Sequence, residues 1–155
     1  PPAQAAGVLV WANVGGAVGG AIFGLLAQRF ALKPMTIVAL ILSTVMVALF
    51  GAAGVRSLGG LAALACISGL FTNSAVVGLY TIFARAFPAH VRATGTGFAI
   101  GIGRGGAALS PILAGVLFSA GLPLAGVAIA LAAGSLIAAI ALGALKLRFA
   151  DEKAA

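Results

Sequence analysis

The chain has 155 residues, of which 63% are hydrophobic and 23 are glycine, well above the roughly 45–50% apolar share of soluble domains, so a water-soluble fold is excluded. Its formal net charge is +7, with Asp151 and Glu152 as the two acids. The basic residues stand singly or in pairs at the ends of apolar runs, with no basic face and no interleaved aromatics, which excludes a nucleic-acid partner.

A helix crossing about 30 Å of hydrocarbon needs roughly 20 apolar residues, and five runs reach that length. The expected architecture is an all-α membrane protein with spans at about 5–27, 35–54, 58–84, 94–120 and 122–145, followed by a tail at 146–155. The ten-residue alternating segments of a membrane barrel are missing. The first span carries Gly16, Gly20 and Gly24 at four-residue spacing with Gly15 and Gly19 beside them, a small-residue stripe that lets helices approach closely in lipid. Trp11 and Asn13 near its start read as interfacial anchors. Gln28-Arg29 closes the span, and the second opens just after Lys33-Pro34.

Span three holds Cys66, Asn73 and Tyr80 at seven-residue spacing, which puts them on one helical face. That face reads either as a cavity lining, with donors for a carboxylate or hydroxyl, or as a set of interhelical hydrogen bonds. The loop that follows, "FPAHVRAT", contains His90, read as a solvated residue. Span four repeats the glycine theme with Gly97, Gly101 and Gly105 and contains Arg104 in an otherwise uncharged stretch. Ten residues past Thr94, Arg104 lies about 15 Å deep, too far to reach the interface. A guanidinium at that depth costs about 2.5–3.5 kcal/mol and faces a bundle interior or aqueous cavity. Its partner is a set of backbone carbonyls, a carboxylate on another segment, or an anionic ligand, for which its planar fork suits a carboxylate. Pro111, seven residues on and on the same face, marks a bend and a candidate hinge.

Antiparallel threading collects Arg29, Lys33, Arg85, Arg92, Lys146, Arg148 and Lys153 on one side and Arg56 on the other. This asymmetry places the N-terminus outside and the C-terminus in the cytoplasm. The chain shows no nucleophile with a base to serve it, no metal-ligand spacing, no cofactor motif and one lone cysteine, so it does not read as an enzyme. The glycine-rich-then-aliphatic order of spans one and two recurs inverted in spans four and five, and a symmetric repeat would need one more helix before Pro1. With no initiator Met and no signal-peptide pattern, the sequence reads as a fragment of a longer protein.

Two stretches carry a family resemblance. "GLYTIFARAFPAHVRATGTGFAIGIGRGGAALSPILAG", Gly78 to Gly115, resembles the tenth and eleventh helices of major facilitator superfamily transporters, in particular the aromatic acid:proton symporter branch. The matching positions are Phe87-Pro88, Arg92-Ala93-Thr94-Gly95, Gly101, Gly103-Arg104, Gly106 and Pro111. "GGAVGGAIFGLLAQRFALKP", Gly15 to Pro34, is similar to the degenerate second copy of that superfamily's Gly-x-x-x-Asp-Arg loop motif, with Gln28 in place of the Asp.

The resemblance implies that the five spans are helices eight to twelve of a twelve-helix bundle in the inner membrane. It implies alternating-access, proton-coupled uptake of a small organic anion, with the proton-coupling acids in the missing N-terminal half. Arg104, Asn73 and Tyr80 would bind substrate, and Arg29, Arg85 and Arg92 would act at the cytoplasmic mouth. The alternatives are a carrier of sugars, metabolites or drugs in which Arg104 is a brace, and a membrane scaffold that does not transport.

Overall fold

The computed structural model of the chain describes residues 2–52, 54 and 57–146. Arg56, Arg148 and Lys153, which entered the charge comparison, and all of the tail except Lys146 lie outside the described residues.

Five helices form where the apolar runs are: α1 (Pro2–Leu26), α2 (Leu32–Ala52), α3 (Leu58–Ala86), α4 (Arg92–Ser119) and α5 (Leu124–Ala144). Each is long and apolar enough to cross a bilayer, and no strand occurs among the described residues. Helix is what hydrocarbon dictates, because every backbone N–H and C=O is then answered within its own segment. The helix bounds differ from the apolar runs where polar residues are tolerated in a first turn. Lys33 and Pro34 belong to α2, since the proline's missing N–H falls among the four that a helix start leaves unpaired anyway. Arg92 likewise opens α4 instead of ending the loop before it.

Local signals set the ends of the elements. Ser57 caps α3 by accepting from the Gly60 N–H at 3.2 Å. Helix α4 stops at a Schellman arrangement: Leu122 N–H donates to Leu117 O, Gly121 N–H donates to Phe118 O, and Gly121 takes a φ of 83°, which suits a residue without Cβ. The turn into α5 is therefore tight.

Packing centres on α3, against which α1 and α2 lie on separate sides, with α5 behind α2 and α4 touching α3 and α5 more lightly. Helices α1 and α3 run parallel, and their glycines decide how closely. A Cβ on Gly15 would fall on the Cys66 carbonyl, one on Gly19 on the Leu70 carbonyl, and one on Gly69 on the Ala12 carbonyl. The seam thus uses Gly15 and Gly19 with Gly16 and Gly20 at its side, while Gly24 faces open space. Gly51 admits Ala128 in the same way between α2 and α5. The buried core joins Phe23, Leu40, Ala75, Ile82, Ala139 and Leu142 across α1, α2, α3 and α5.

Helix α4 is the exception, with no buried residue. Nothing lies within 4 Å of a Cβ built on Gly97, Gly101, Gly103, Gly105 or Gly106. The two glycine stripes look alike as sequence, yet among the described residues α1's is occupied and α4's is bare.

These contacts give a direct contrast. Gly19→Val should lower the thermal unfolding temperature in detergent, by an overpacking cost of about 1–3 kcal/mol. Gly24→Ala should leave it unchanged or raise it, because alanine favours helix where space is open. Equal effects at the two positions in scanning fluorimetry would contradict the seam.

Candidate functional site

Arg104 is the thirteenth of the 28 residues of α4, so it sits at the middle of the helix whichever end is taken as reference. The side chain is exposed among the described residues, none of which covers that part of α4. Among the described residues its guanidinium has no hydrogen-bond or ion-pair partner, and none of them is an Asp or Glu. No described residue supplies an anion or acceptor to it. The bare glycines on either side leave the approach to Arg104 open.

About two turns onward, α4 passes through Pro111 without interruption. Proline at 111 has no N–H to give to the carbonyl four residues earlier, that of Ala107. Ser110 supplies the replacement: its hydroxyl donates to Ala107 O at 2.8 Å. The serine preceding a mid-helix proline was a sequence signal for this repair, and it keeps the helix continuous at the expected hinge.

Asn73 faces α1, where its Nδ2 donates to Gly16 O at 2.6 Å across the parallel seam. Beside that bond a groove of about 520 Å³ runs between α1 and α3, lined by Asn13, Gly16, Gly69, Thr72, Asn73 and Val76 among others. Asn13, read from sequence as an interfacial anchor, instead lines the same groove as Asn73, its Nδ2 donating to Leu9 O at 2.8 Å. The Thr72 hydroxyl is paired with Ser43 of α2 at 2.9 Å. Each asparagine amide retains a second N–H and a carbonyl oxygen, so the groove offers both donors and acceptors to a polar ligand. Asn13 could have been found from sequence as a polar residue one turn ahead of the glycine seam.

Tyr80 is half-buried on α3, with no hydrogen-bond partner among the described residues, and it does not line the Asn13–Asn73 groove. Asn73 and Tyr80 share a helix face, but the three candidate substrate residues do not meet in one cavity within this chain: Arg104 stands on α4, outside the groove.

The basic residues at the other end behave differently from one another. Arg29 and Arg85 are exposed, the first in the turn after α1 and the second in the last turn of α3. Arg92 donates from Nε to Phe87 O at 3.3 Å, and the Phe87 ring packs against Gly95, which together brace the α3–α4 loop. His90 is exposed in that loop. Lys33, counted from sequence only for its charge, reaches from α2 to the end of α5 and donates to Gly143 O at 3.2 Å and Leu145 O at 2.7 Å. A cation there answers carbonyls that the helix itself leaves unpaired and lies at the negative end of its dipole.

Two curated proteins are similar to this chain. The 3-(3-hydroxy-phenyl)propionate transporter of Escherichia coli K12 is 35% identical over 140 residues, covering 90% of this chain and 34% of that protein. The benzoate transport protein of Acinetobacter baylyi is 32% identical over 111 residues, covering 72% of this chain and 23% of that protein. The chain thus spans about a third of the length of the first relative and about a quarter of the second. No family model matches the chain, and no solved structure does.

The repair beside Pro111 predicts a non-additive pair. Ser110→Ala should destabilise the protein by about 1–3 kcal/mol, the cost of leaving a carbonyl unanswered. In a Pro111→Ala background, where residue 111 regains its N–H, the same change should cost little. Unfolding in mixed detergent measures both, and additive losses would contradict the repair.

Proposed function

We infer, from its likeness to two transporters named for aromatic acids, that this chain is the carboxyl-terminal part of a secondary transporter of the major facilitator superfamily. Its work is to carry a small organic anion, of the aromatic carboxylate class, across the cytoplasmic membrane by alternating access. The observation that carries the substrate class is Arg104, a permanent cation at the middle of a membrane-length helix, exposed within the chain and without a partner among the described residues. A charge in that position is costly unless a cavity, a counter-ion or a ligand meets it. A carboxylate meets it bidentately and leaves the substrate's ring for the apolar surroundings.

In this reading two helical halves rock about a midplane site and expose it to each side in turn. The bare face of α4 turns toward the missing amino-terminal half, and Arg104 attracts the substrate carboxylate into the space between the halves. Asn73 and Asn13, in the α1–α3 groove, supply amide groups that orient a ring substituent, and Tyr80 offers a phenol further along the α3 face. Arg29, Arg85 and Arg92 fix the topology, with the N-terminus of this segment outside and its C-terminus in the cytoplasm. Arg29 and Arg85 also bridge to the other half in one conformation. Proton coupling is assigned to acids of that other half, as the family resemblance implies. Asn73 has a structural duty as well, through its bond to Gly16, so its substitution affects folding and transport together.

Uptake of labelled benzoate-like acids by the full-length protein tests the reading. Arg104→Lys keeps the charge but loses the planar fork, and it should reduce uptake about tenfold or more at unchanged membrane abundance. Unlabelled aromatic acids should compete with the labelled substrate, and neutral sugars should not. Wild-type uptake by Arg104→Lys, or competition by sugars alone, would contradict the anion site.

A further inference from the structure

We propose that the cleft between α1 and α2 is a binding site for an anionic phospholipid, with one acyl chain in the cleft and the lipid phosphate against Arg29. Helices α1 and α2 are joined by a short turn, yet their backbones stand apart and both lean on α3 instead. The wedge that results has a volume of about 540 Å³, within the roughly 300–1,000 Å³ of ligand-sized cavities. Ile22, Phe23 and Leu26 of α1 form one wall, Val38 of α2 the other, Phe71 of α3 the floor, and Phe30 the rim at the turn. The lining is apolar throughout except for Ser74, whose hydroxyl is already given to Leu70 O at 2.7 Å. The cleft therefore has nothing to offer a polar ligand and much to offer a hydrocarbon chain.

Its rim is of opposite character. Arg29 directly precedes Phe30 in the turn, is exposed, and has no hydrogen-bond or ion-pair partner for its side chain among the described residues. None of those residues is an Asp or Glu, so no described residue supplies its counter-ion. Charge at the turn and hydrocarbon below it follow the same order as head group and tail in an anionic lipid. Phe30 and Val38, 60% and 55% exposed, line the path between the two. The charge asymmetry of the loops puts this turn at the cytoplasmic leaflet, where anionic lipids give a negative surface potential. The site rests on the membrane reading of the chain and not on the identity of any transported substrate, so aromatic-acid uptake and lipid retention can fail independently.

Native mass spectrometry of the full-length protein in detergent, titrated with phosphatidylglycerol or with phosphatidylcholine of the same acyl chains, reads the site. The wild type should retain phosphatidylglycerol in preference. Arg29→Ala should reduce that retention about fivefold and leave phosphatidylcholine unchanged, the effect expected of one basic residue near an anionic head group. Val38→Trp, which fills the cleft from an exposed position, should reduce retention of both lipids. Millimolar inorganic phosphate should displace neither. The proposal is overturned if the wild type retains the two lipids equally, if neither substitution changes retention, or if free phosphate displaces the lipid. It is equally overturned if a cross-linker attached at Val38→Cys captures another protein segment in membranes instead of lipid.

Discussion

Hydrocarbon offers no water to a polar group, and nearly every side-chain bond in this structure answers that condition. Thr36, Thr44, Ser74, Thr81 and Ser119 each return the hydroxyl to the carbonyl four residues earlier on the same helix. Where two helices meet, the hydroxyls pair across the seam, as with Ser43 and Thr72, or reach the neighbour's carbonyl, as Ser68 does to Met46. Asn73 does the same to Gly16 and Lys33 to the end of α5, and Ser110 restores the bond that Pro111 removes. Since lipid tails are as apolar as leucine, helices gain little by hiding aliphatic surface from them, and close approach through glycine and alanine takes over that role.

Under that rule Arg104 is the charged group left unanswered at mid-helix, beside the lesser cases of the Thr96 and Tyr80 hydroxyls. It carries more charge than any hydroxyl, sits at the centre of its helix, and has no partner among the described residues. The same helix has bare glycines and no buried residue, so the unmet charge and the unmet packing surface coincide. In the proposed reading, one neighbouring bundle accounts for both. A second bundle facing α4 would cover the glycines and enclose the guanidinium in a cavity between the two, which is where a rocking carrier holds its cargo.

The five spans were legible in the sequence because membrane length and apolarity settle them without any tertiary information. The mid-helix position of Arg104 was legible for the same reason, since the bounds of the span set it. What the sequence concealed depended on which helices meet. The stripes on α1 and α4 are alike in spacing, and only the parallel pairing of α1 with α3 makes one a seam and leaves the other bare. Asn13 looked like a boundary residue until that pairing placed it beside Asn73. Lys33 read as a topological charge because its partner, the end of α5, is more than a hundred residues away. Ser110 was within reach of inspection, as a hydroxyl directly before a mid-helix proline.

The central claim is that a carboxylate meets Arg104 in a cavity. A structure of the full-length protein solved with a bound aromatic acid tests it most directly. The account predicts both carboxylate oxygens at hydrogen-bond distance from the guanidinium, about 2.7–2.9 Å, with α4 facing the opposite half across the ligand. A guanidinium sealed in a dry helix seam and bonded to carbonyls alone, with the acid bound elsewhere, would contradict it.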